Sequence, residues 1–244
     1  MEEAIVTTSW DDGHPLDLKL AELLKRYDIP ATFYLPIANV ERPSMNPQQI
    51  REIAGSFDVG GHGYRHLNLV ALPLSEAERE IVEGKKSLDD IIGRECVSFA
   101  YPKGAFDDEV ISLVRNAGFI GARTVRALTR RINEPFKVGT TVLAADWWFA
   151  PYVKHSLASK DPRLFSFMLG NGLFFRGWDE IAMRALDFIV ENGGVWHLYG
   201  HSWEIEARNE WGKLDRVLSR AGVLSNRAVK VNNSELLKAC GHGR

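Results

Sequence analysis

The stretch that decides the fold is residues 4–36, AIVTTSWDDGHPLDLKLAELLKRYDIPATFYLP. It begins with an apolar, β-branched run (Ala4–Trp10) and ends with a second one (Ala31–Pro36). Between them, Leu16–Tyr27 repeats leucine at positions 16, 20, 23 and 24, which is the spacing of one helical face. A strand, a helix and a strand in this order predict a βαβ unit with two parallel strands.

The same alternation continues along the rest of the chain. A glutamate-containing capping box at Ser75–Glu78 predicts the start of a long helix, and Asp107 is expected to cap another. Seven or eight strand–helix units favour an α/β fold, a distorted (β/α)7-8 barrel, over an open sheet. We find no repeat or linker, so residues 1–244 are predicted to form a single domain, in which the irregular, aromatic-rich segment 150–177 is an inserted loop or flap. The further predicted strands are Phe57–Gly60, Val97–Tyr101, Phe119–Val125, Thr141–Ala145, Val195–Gly200 and Ala228–Val231.

Composition excludes several functional classes. The 244 residues carry 30 basic and 32 acidic side chains, a net charge of −2, which gives no electrostatic reason to expect nucleic acid or an anionic membrane as a partner. No apolar run approaches the roughly 18 residues of a spanning helix. The acidic start, Met1-Glu2-Glu3, is unlike a signal peptide, so we expect a cytoplasmic protein unless a leader has been removed. Two cysteines, Cys96 and Cys240, are too few for a disulfide framework.

Polar residues follow the first predicted strand, where the catalytic residues of a barrel are expected. Asp11 and Asp12 are adjacent carboxylates, which are costly to hold together unless a cation neutralises them. Because adjacent side chains point apart, one could bind a cation while the other faces a substrate. The alternative is an ordinary Asp-Asp-Gly turn.

Two histidines follow the third predicted strand. His62 and His66 are four residues apart, which on one helical turn would place both imidazoles on the same face. With a carboxylate they would make a three-ligand metal site with open positions, as hydrolytic zinc sites require. The alternative is a pair of exposed loop histidines.

Two later strand ends carry weaker signals. The turn Pro102-Lys103-Gly104 could present backbone N–H groups to a developing oxyanion, or could be a plain loop. In the last long strand, alternation places His197, Tyr199 and His201 on one side. An acid/base role would explain the histidines, although a lone buried histidine is more often a structural one.

In this chain order, the motifs resemble those of the NodB-homology polysaccharide deacetylases, carbohydrate esterase family 4. Residues 8–13 resemble the family's TFDDG motif, and residues 61–66 resemble its H-[ST]-x-x-H motif, with Gly63 in place of the usual Ser or Thr. The resemblance spans about Ile5 to His201. It implies a barrel enzyme that removes acetyl groups from a carbohydrate with the help of a divalent metal, most often zinc, with cobalt and nickel as alternatives.

The resemblance also implies roles for individual residues. Asp12, His62 and His66 would be the metal ligands. Asp11 would be the general base that activates the hydrolytic water, and His201 would be the general acid that protonates the leaving group. We choose His201 over His197 because its position resembles the family's strand-end Leu-x-His, and Glu204 could orient it.

The fourth-strand motif implies a second group of site residues. Lys103 stands at the family's tyrosine position, where the backbone N–H stabilises the oxyanion. Tyr101 and Pro102, which precede it, are candidate substrate-binding residues.

One departure from the family pattern concerns the arginine that orients the catalytic aspartate. Ala100 stands in its place, and we expect Arg123, at the end of the next strand, to replace it. Asp146-Trp147 resembles the family's Asp-Trp motif, in which the aspartate partners the arginine and the tryptophan walls the acetyl pocket. Trp148 would extend that wall.

Three functions from different classes stay open at this point. The first is a metal-dependent deacetylase acting on N-acetyl, or O-acetyl, groups of a carbohydrate. The second is a NodB-type amidohydrolase acting on a non-sugar ureide or cyclic imide. The third is a catalytically silent protein that binds carbohydrate on aromatic platforms, for which the candidates are Trp147, Trp148, Trp196, Trp203 and Trp211.

Overall fold

The computed structural model describes residues 3–146, 162–172 and 176–241. An α/β fold with a parallel sheet is observed, as predicted, and every predicted strand is present. The strands are β1 (Ala4–Asp11), β2 (Ala31–Leu35), β3 (Asp58–Gly61), β4 (Ser98–Ala100), β5 (Gly121–Arg123), β6 (Val142–Leu143), β7 (Gly194–Gly200) and β8 (Val229–Lys230).

The sheet is a curled, incomplete barrel with the order β5-β4-β3-β2-β1-β7-β6. The central strand β1 pairs with β7 along Ala4–Trp10, and on its other side with β2 from Thr8 onward and with β8 at Ile5 and Val6. In the described part of the chain β5 and β6 form no ladder with each other, so the barrel is open between them. Because all pairings are parallel, the carboxyl ends of the strands meet at one end of the barrel.

Helices cover the outside of the sheet. They are α1 (Asp17–Arg26), α2 (Pro47–Ala54), α3 (Leu74–Ile92), α4 (Asp108–Asn116), α5 (Pro162–Gly170), α6 (Trp178–Asn192), α7 (Ser202–Ala207), α8 (Trp211–Val223) and α9 (Asn233–Gly241). Among the helices described, none combines the length and the apolar character needed to cross a membrane.

Helix starts show where local sequence signals hold. The Asp107 carboxylate accepts a hydrogen bond from Val110 N (2.8 Å), as expected of the cap of α4. The capping box predicted at Ser75 is wrong: the N-cap of α3 is Pro73, two residues earlier, and its carbonyl accepts the N–H groups of Glu76 and Ala77. Ser75 therefore lies within the first turn, where its side chain cannot cap.

A buried polar network lies inside the barrel, around the first residue of α9. Asn233, the first residue of α9, donates to the Tyr34 hydroxyl (3.0 Å) and accepts from Thr7 (2.9 Å). His197 lies fully buried beside it, with Nε2 2.8 Å from Ser9 Oγ, and burial lowers the pKa of this imidazole to about 3. This network accounts for the burial of His197 in the interior of the barrel.

Candidate active site

The two aspartates at the end of β1 point to different partners. The chain turns sharply after Asp11, because Asp12 adopts a left-handed backbone conformation (φ 78°). This turn directs Asp12 Oδ1 to within 3.1 Å of His66 Nε2 and 3.7 Å of His62 Nε2. One ligand atom from each of these three buried residues lies within 4.8 Å of the others. The structure therefore brings together the residues predicted to bind a metal.

The two histidines converge through a loop and not through the helical turn expected from their spacing. Left-handed conformations at Gly63 (φ 74°) and His66 (φ 63°) fold the chain after β3 so that the imidazole centroids are 4.8 Å apart. Buried Glu80 of α3 accepts a hydrogen bond from Arg65 N (2.8 Å). This carboxylate braces the loop, which lacks the motif's Ser or Thr hydroxyl at Gly63. A Cβ on Gly84 of α3 would lie 2.8 Å from the Gly63 carbonyl carbon, so the helix packs directly on the loop backbone.

The chemistry of this cluster fits a divalent metal. His62 Nδ1 is 2.7 Å from the Ala100 carbonyl oxygen; since a carbonyl only accepts, Nδ1 carries the proton and Nε2 is free to bind a cation. Burial and the neighbouring His62 lower the pKa of His66 to about 4, so this imidazole is neutral at pH 7. Asp12 Oδ1 is buried and has no hydrogen-bond partner among the described residues. Two imidazole nitrogens and one carboxylate oxygen suit zinc, cobalt or nickel.

Asp11 is held away from the cluster by an arginine. Arg123 Nη2 contacts Asp11 Oδ2, and both side chains are buried. Burial alone would raise the pKa of Asp11, but the charge of Arg123, helped by His62 and His201, lowers it below its usual value. Arg123 is paired in register with Ala100 on the neighbouring strand. The guanidinium missing from β4 is thus supplied by β5 at the adjacent position.

His201 follows directly after β7 and faces the same cavity. Its Nδ1 lies 3.2 Å from a Glu204 carboxylate oxygen. Burial disfavours the charged imidazole, yet the bond to Glu204 and the charges of Asp11 and Asp12 outweigh it and raise the pKa of His201. The charged form of His201 is therefore stabilised, whereas burial lowers the pKa of His197 to about 3.

The loop after β4 contributes Lys103 to the cavity wall. Residues 102–104 form a short 3₁₀ turn in which Lys103 is left-handed (φ 60°). Tyr101 lines the cavity, but its hydroxyl donates to the Phe136 carbonyl (2.9 Å) and points away from it. Pro102 is buried, with its Cγ 3.5 Å from the Cβ position of Gly63, and it is not among the described residues that line the cavity; its substrate-binding role stays a prediction.

Asp146 lies outside the site. Its half-exposed carboxylate accepts from Lys213 Nζ (2.9 Å) and from the Trp178 amide (2.9 Å). The expected pairing with Arg123 is wrong, because that guanidinium lies deep in the barrel against Asp11 while the chain beyond β6 leads Asp146 outward to α6 and α8. Trp147, Trp148 and most of segment 150–177 lie outside the described residues.

The cavity that contains these groups has a volume of about 280 Å³. Two charged residues that sequence reasoning missed lie on its wall: Glu41 and Arg42. Glu41 and Arg42 come from the loop between β2 and α2, which shows no periodicity or motif. Trp203, which the sequence suggested only as a carbohydrate platform, also lies on this wall, two residues after His201. Further described wall residues are Gly104, Val125, Leu143, Tyr199 and Glu204.

A parallel β/α barrel with clustered ligand and acid/base groups at its carboxyl end is typical of barrel hydrolases. The family model for polysaccharide deacetylases matches residues 1–122, half of the sequence, and the chain belongs to that family.

Individual relatives match at low identity. A peptidoglycan deacetylase of Helicobacter pylori is 27% identical over 101 residues, which is 41% of this chain and 34% of that protein. The matched segment thus spans about a third of the relative's length.

Solved structures share the fold. A candidate polysaccharide deacetylase of Mycobacterium smegmatis aligns with a TM-score of 0.67 at 15% identity, covering 98% of this chain and 91% of the other. A carbohydrate esterase family 4 pseudoenzyme of Bacillus anthracis aligns with a TM-score of 0.57 at 18% identity, covering 96% and 66%. Because a pseudoenzyme shares this fold, the function of this chain has to be argued from its site residues.

Proposed function

We propose that this protein is a metal-dependent deacetylase that removes acetyl groups from an N-acetylated, or O-acetylated, carbohydrate. The observation that carries the proposal is the separation of the two aspartates. Asp12 faces His62 and His66, while Asp11 is held apart by Arg123 and kept ionised. A site of this kind has both a place for a cation and a free base beside it.

Asp12, His62 and His66 would hold the metal, with zinc favoured and cobalt or nickel as alternatives. When bound, the metal polarises the acetyl carbonyl and makes the attacking water more acidic. Asp11 accepts a proton from this water as its oxygen bonds to the acetyl carbon. Arg123 aims the carboxylate and keeps it deprotonated at neutral pH.

The Lys103 N–H stabilises the charge that develops on the carbonyl oxygen. Lys103 lies in a left-handed turn just after β4 and lines the cavity, where such a donor is needed. The role requires only the amide, so a lysine can stand where the family has tyrosine. The Lys103 side chain instead contacts Glu41.

His201 donates a proton to the departing amine or alcohol as its bond to the acetyl carbon breaks. Glu204 orients the imidazole and favours its charged form. The proton gained by Asp11 and the one lost by His201 balance through solvent after acetate and the deacetylated product leave. The site thus combines a carboxylate whose pKa is lowered with an imidazole whose pKa is raised, which suits a general base and a general acid acting together.

A carbohydrate substrate is favoured by family membership and by the peptidoglycan-deacetylase relative. The binding-module alternative loses support, because three of the tryptophans that suggested it are engaged within the protein. The indole of Trp196 donates to the Ala182 carbonyl in the core, that of Trp203 donates to Asp12, and that of Trp211 contacts Glu206.

The proposal is tested by acetate release from acetylated chito-oligosaccharides of increasing length, using chelator-stripped protein with and without added Zn²⁺ or Co²⁺. Allantoin-type amides are assayed in parallel. We expect metal-dependent acetate release from the sugars only. Asp11→Asn should lose turnover and keep the metal, Asp12→Ala should lose both, and exposed Asp28→Asn is the matched control that should lose neither.

Two outcomes would contradict the proposal. Hydrolysis of the amides without acetate release would support the non-sugar amidohydrolase. A protein that binds one equivalent of metal and releases no acetate from any of these sugars would support a silent carbohydrate-binding protein.

A further inference from the structure

The carboxylate of Asp12 has a different partner for each oxygen. Oδ1 faces the two imidazoles, whereas Oδ2 accepts a hydrogen bond of 2.8 Å from the indole nitrogen of Trp203. Trp203 lies on α7, just after His201, and is 191 residues from Asp12 in the chain. The indole N–H therefore fixes the rotation of the carboxylate and leaves only Oδ1 directed at the histidines.

Trp203 is itself held in place. The guanidinium carbon of Arg42 lies 3.2 Å from the centre of its ring, and Arg42 Nε lies 4.0 Å from Asp12 Oδ2. The imidazole of His201 packs against the same indole, with centroids 5.3 Å apart. A cation stacked on a tryptophan ring attracts it electrostatically, so Arg42 and His201 together restrain the indole.

The loop that carries Arg42 is tied to both sets of ligands. Met45 N donates to the Gly13 carbonyl (2.8 Å), next to Asp12, and Val40 N donates to the Arg65 carbonyl (3.3 Å), next to His66. Arg42 therefore lies over the indole on a loop anchored at two points. The restraint on Trp203 is part of the folded site and not a single surface contact.

We propose that Trp203 is a positioning residue for the metal site, whose N–H occupies Oδ2 of Asp12 so that Asp12 binds the metal through Oδ1 alone. Groups that hydrogen-bond to metal ligands set ligand orientation, and their loss typically costs about 10- to 100-fold in metal affinity. The inference rests on the metal site of the proposed function and adds a residue to it.

The test compares Trp203→Phe with Trp211→Phe. The first change keeps an aromatic ring beneath Arg42 and removes the N–H donor. The second is a matched control, because Trp211 also donates to a carboxylate, on Glu206, and lies beneath a cation, Lys19 Nζ at 4.2 Å, but touches no metal ligand. The measurements are the Zn²⁺ dissociation constant, by competition with a chromophoric chelator, and the visible absorption of the Co²⁺-loaded proteins.

Trp203→Phe is expected to raise the Zn²⁺ dissociation constant by about 10-fold or more. It should also weaken the Co²⁺ absorption, because a freed Oδ2 can join the coordination sphere and raise the coordination number. Trp211→Phe should change neither. A dissociation constant for Trp203→Phe within twofold of the unmutated protein, with an unchanged Co²⁺ spectrum, would overturn the proposal.

The unmutated protein provides a second test if Trp203→Phe does not fold, as judged by circular dichroism. Zn²⁺ should shift an indole ¹H–¹⁵N resonance, and Asp12→Ala should abolish that shift; the absence of any indole shift refutes the role of Trp203. If the unmutated protein binds no metal, the proposed function and this inference fail together. If it binds metal and Trp203→Phe binds it equally well, only the inference fails.

Discussion

Replacing Arg123 by methionine removes the only charge that contacts Asp11 within the described chain while keeping much of the side-chain volume. Arg123 is 1% exposed, and besides Asp11 its guanidinium faces the rings of Tyr34 (5.3 Å) and Tyr199 (5.0 Å). Breaking a buried ion pair by removing one partner leaves an uncompensated charge and costs about 3–5 kcal/mol of unfolding free energy. We expect a loss of this size in urea unfolding of the metal-free protein.

Arg123→Met should affect catalysis far more than metal binding. Burial raises the pKa of Asp11 and the charge of Arg123 lowers it, so without the guanidinium this pKa should rise. A smaller fraction of Asp11 is then ionised, and its carboxylate is no longer held in position. A positioned base is worth about 10²- to 10⁴-fold in rate, which bounds the expected loss of kcat. The metal content, by elemental analysis, should stay near one equivalent, because Arg123 touches none of Asp12, His62 and His66.

The pH profile separates a role in positioning from a purely structural one. In Arg123→Met the acidic limb of kcat/KM should move to higher pH, because the pKa of Asp11 is higher and its carboxyl group ionises only at higher pH. Arg130→Met is the matched control: Arg130 is also buried, but its Nη1 donates to the Gly193 carbonyl (3.2 Å), at the far end of β7. The reasoning is refuted if metal content and kcat fall in proportion, or if the acidic limb does not move.

Three further predictions follow from the same geometry. Glu204→Gln should move the alkaline limb of kcat/KM to lower pH, because Glu204 raises the pKa of His201. An unchanged alkaline limb would show that Glu204 does not set the pKa of the general acid. Folding lowers the pKa of His197 from 6.5 to about 3, so between pH 7 and pH 5 only the unfolded chain takes up this proton. Over this range the free energy of unfolding should therefore decrease by about 2 kcal/mol because of this residue. His197→Gln should lack this part of the pH dependence in urea unfolding, and an identical dependence in both proteins would contradict it. Adding Zn²⁺ at 100 times its dissociation constant should stabilise the chelator-stripped protein by about 2.7 kcal/mol and raise its Tm in thermal unfolding, whereas Asp12→Ala should show no rise.

Much of the fold could be predicted from the sequence because its signals are local. Short β-branched runs between turn residues located every strand to within about two residues, and alternating strands and helices predict a parallel sheet. Helices α2 and α9 were not anticipated, although α2 has a short buried apolar face made by Ile50, Ile53 and Ala54. A second signal for α2 is its cap, where Asn46, just before Pro47, forms a reciprocal pair with Gln49.

The candidate site shows where local signals stop. The motif residues Asp12, His62 and His66 could be selected from the sequence, but their convergence depends on left-handed backbone conformations at Asp12, Gly63 and His66. The spacing of the histidines suggested a helical turn instead. Residue spacing predicts side-chain direction only within regular structure, and these ligands lie just beyond it.

By itself the sequence determined the strand–helix order, the end of the barrel that carries the chemistry, and the residue types available there. Tertiary structure alone decided which of those residues meet. Strand register placed Arg123 beside Asp11, 112 residues away, and led Asp146 out to Lys213. A loop and a short helix placed Trp203 on Asp12, 191 residues away. Periodicity specifies the face on which a side chain lies, whereas contact between distant side chains depends on register and loop conformation, which are set by packing over the whole barrel.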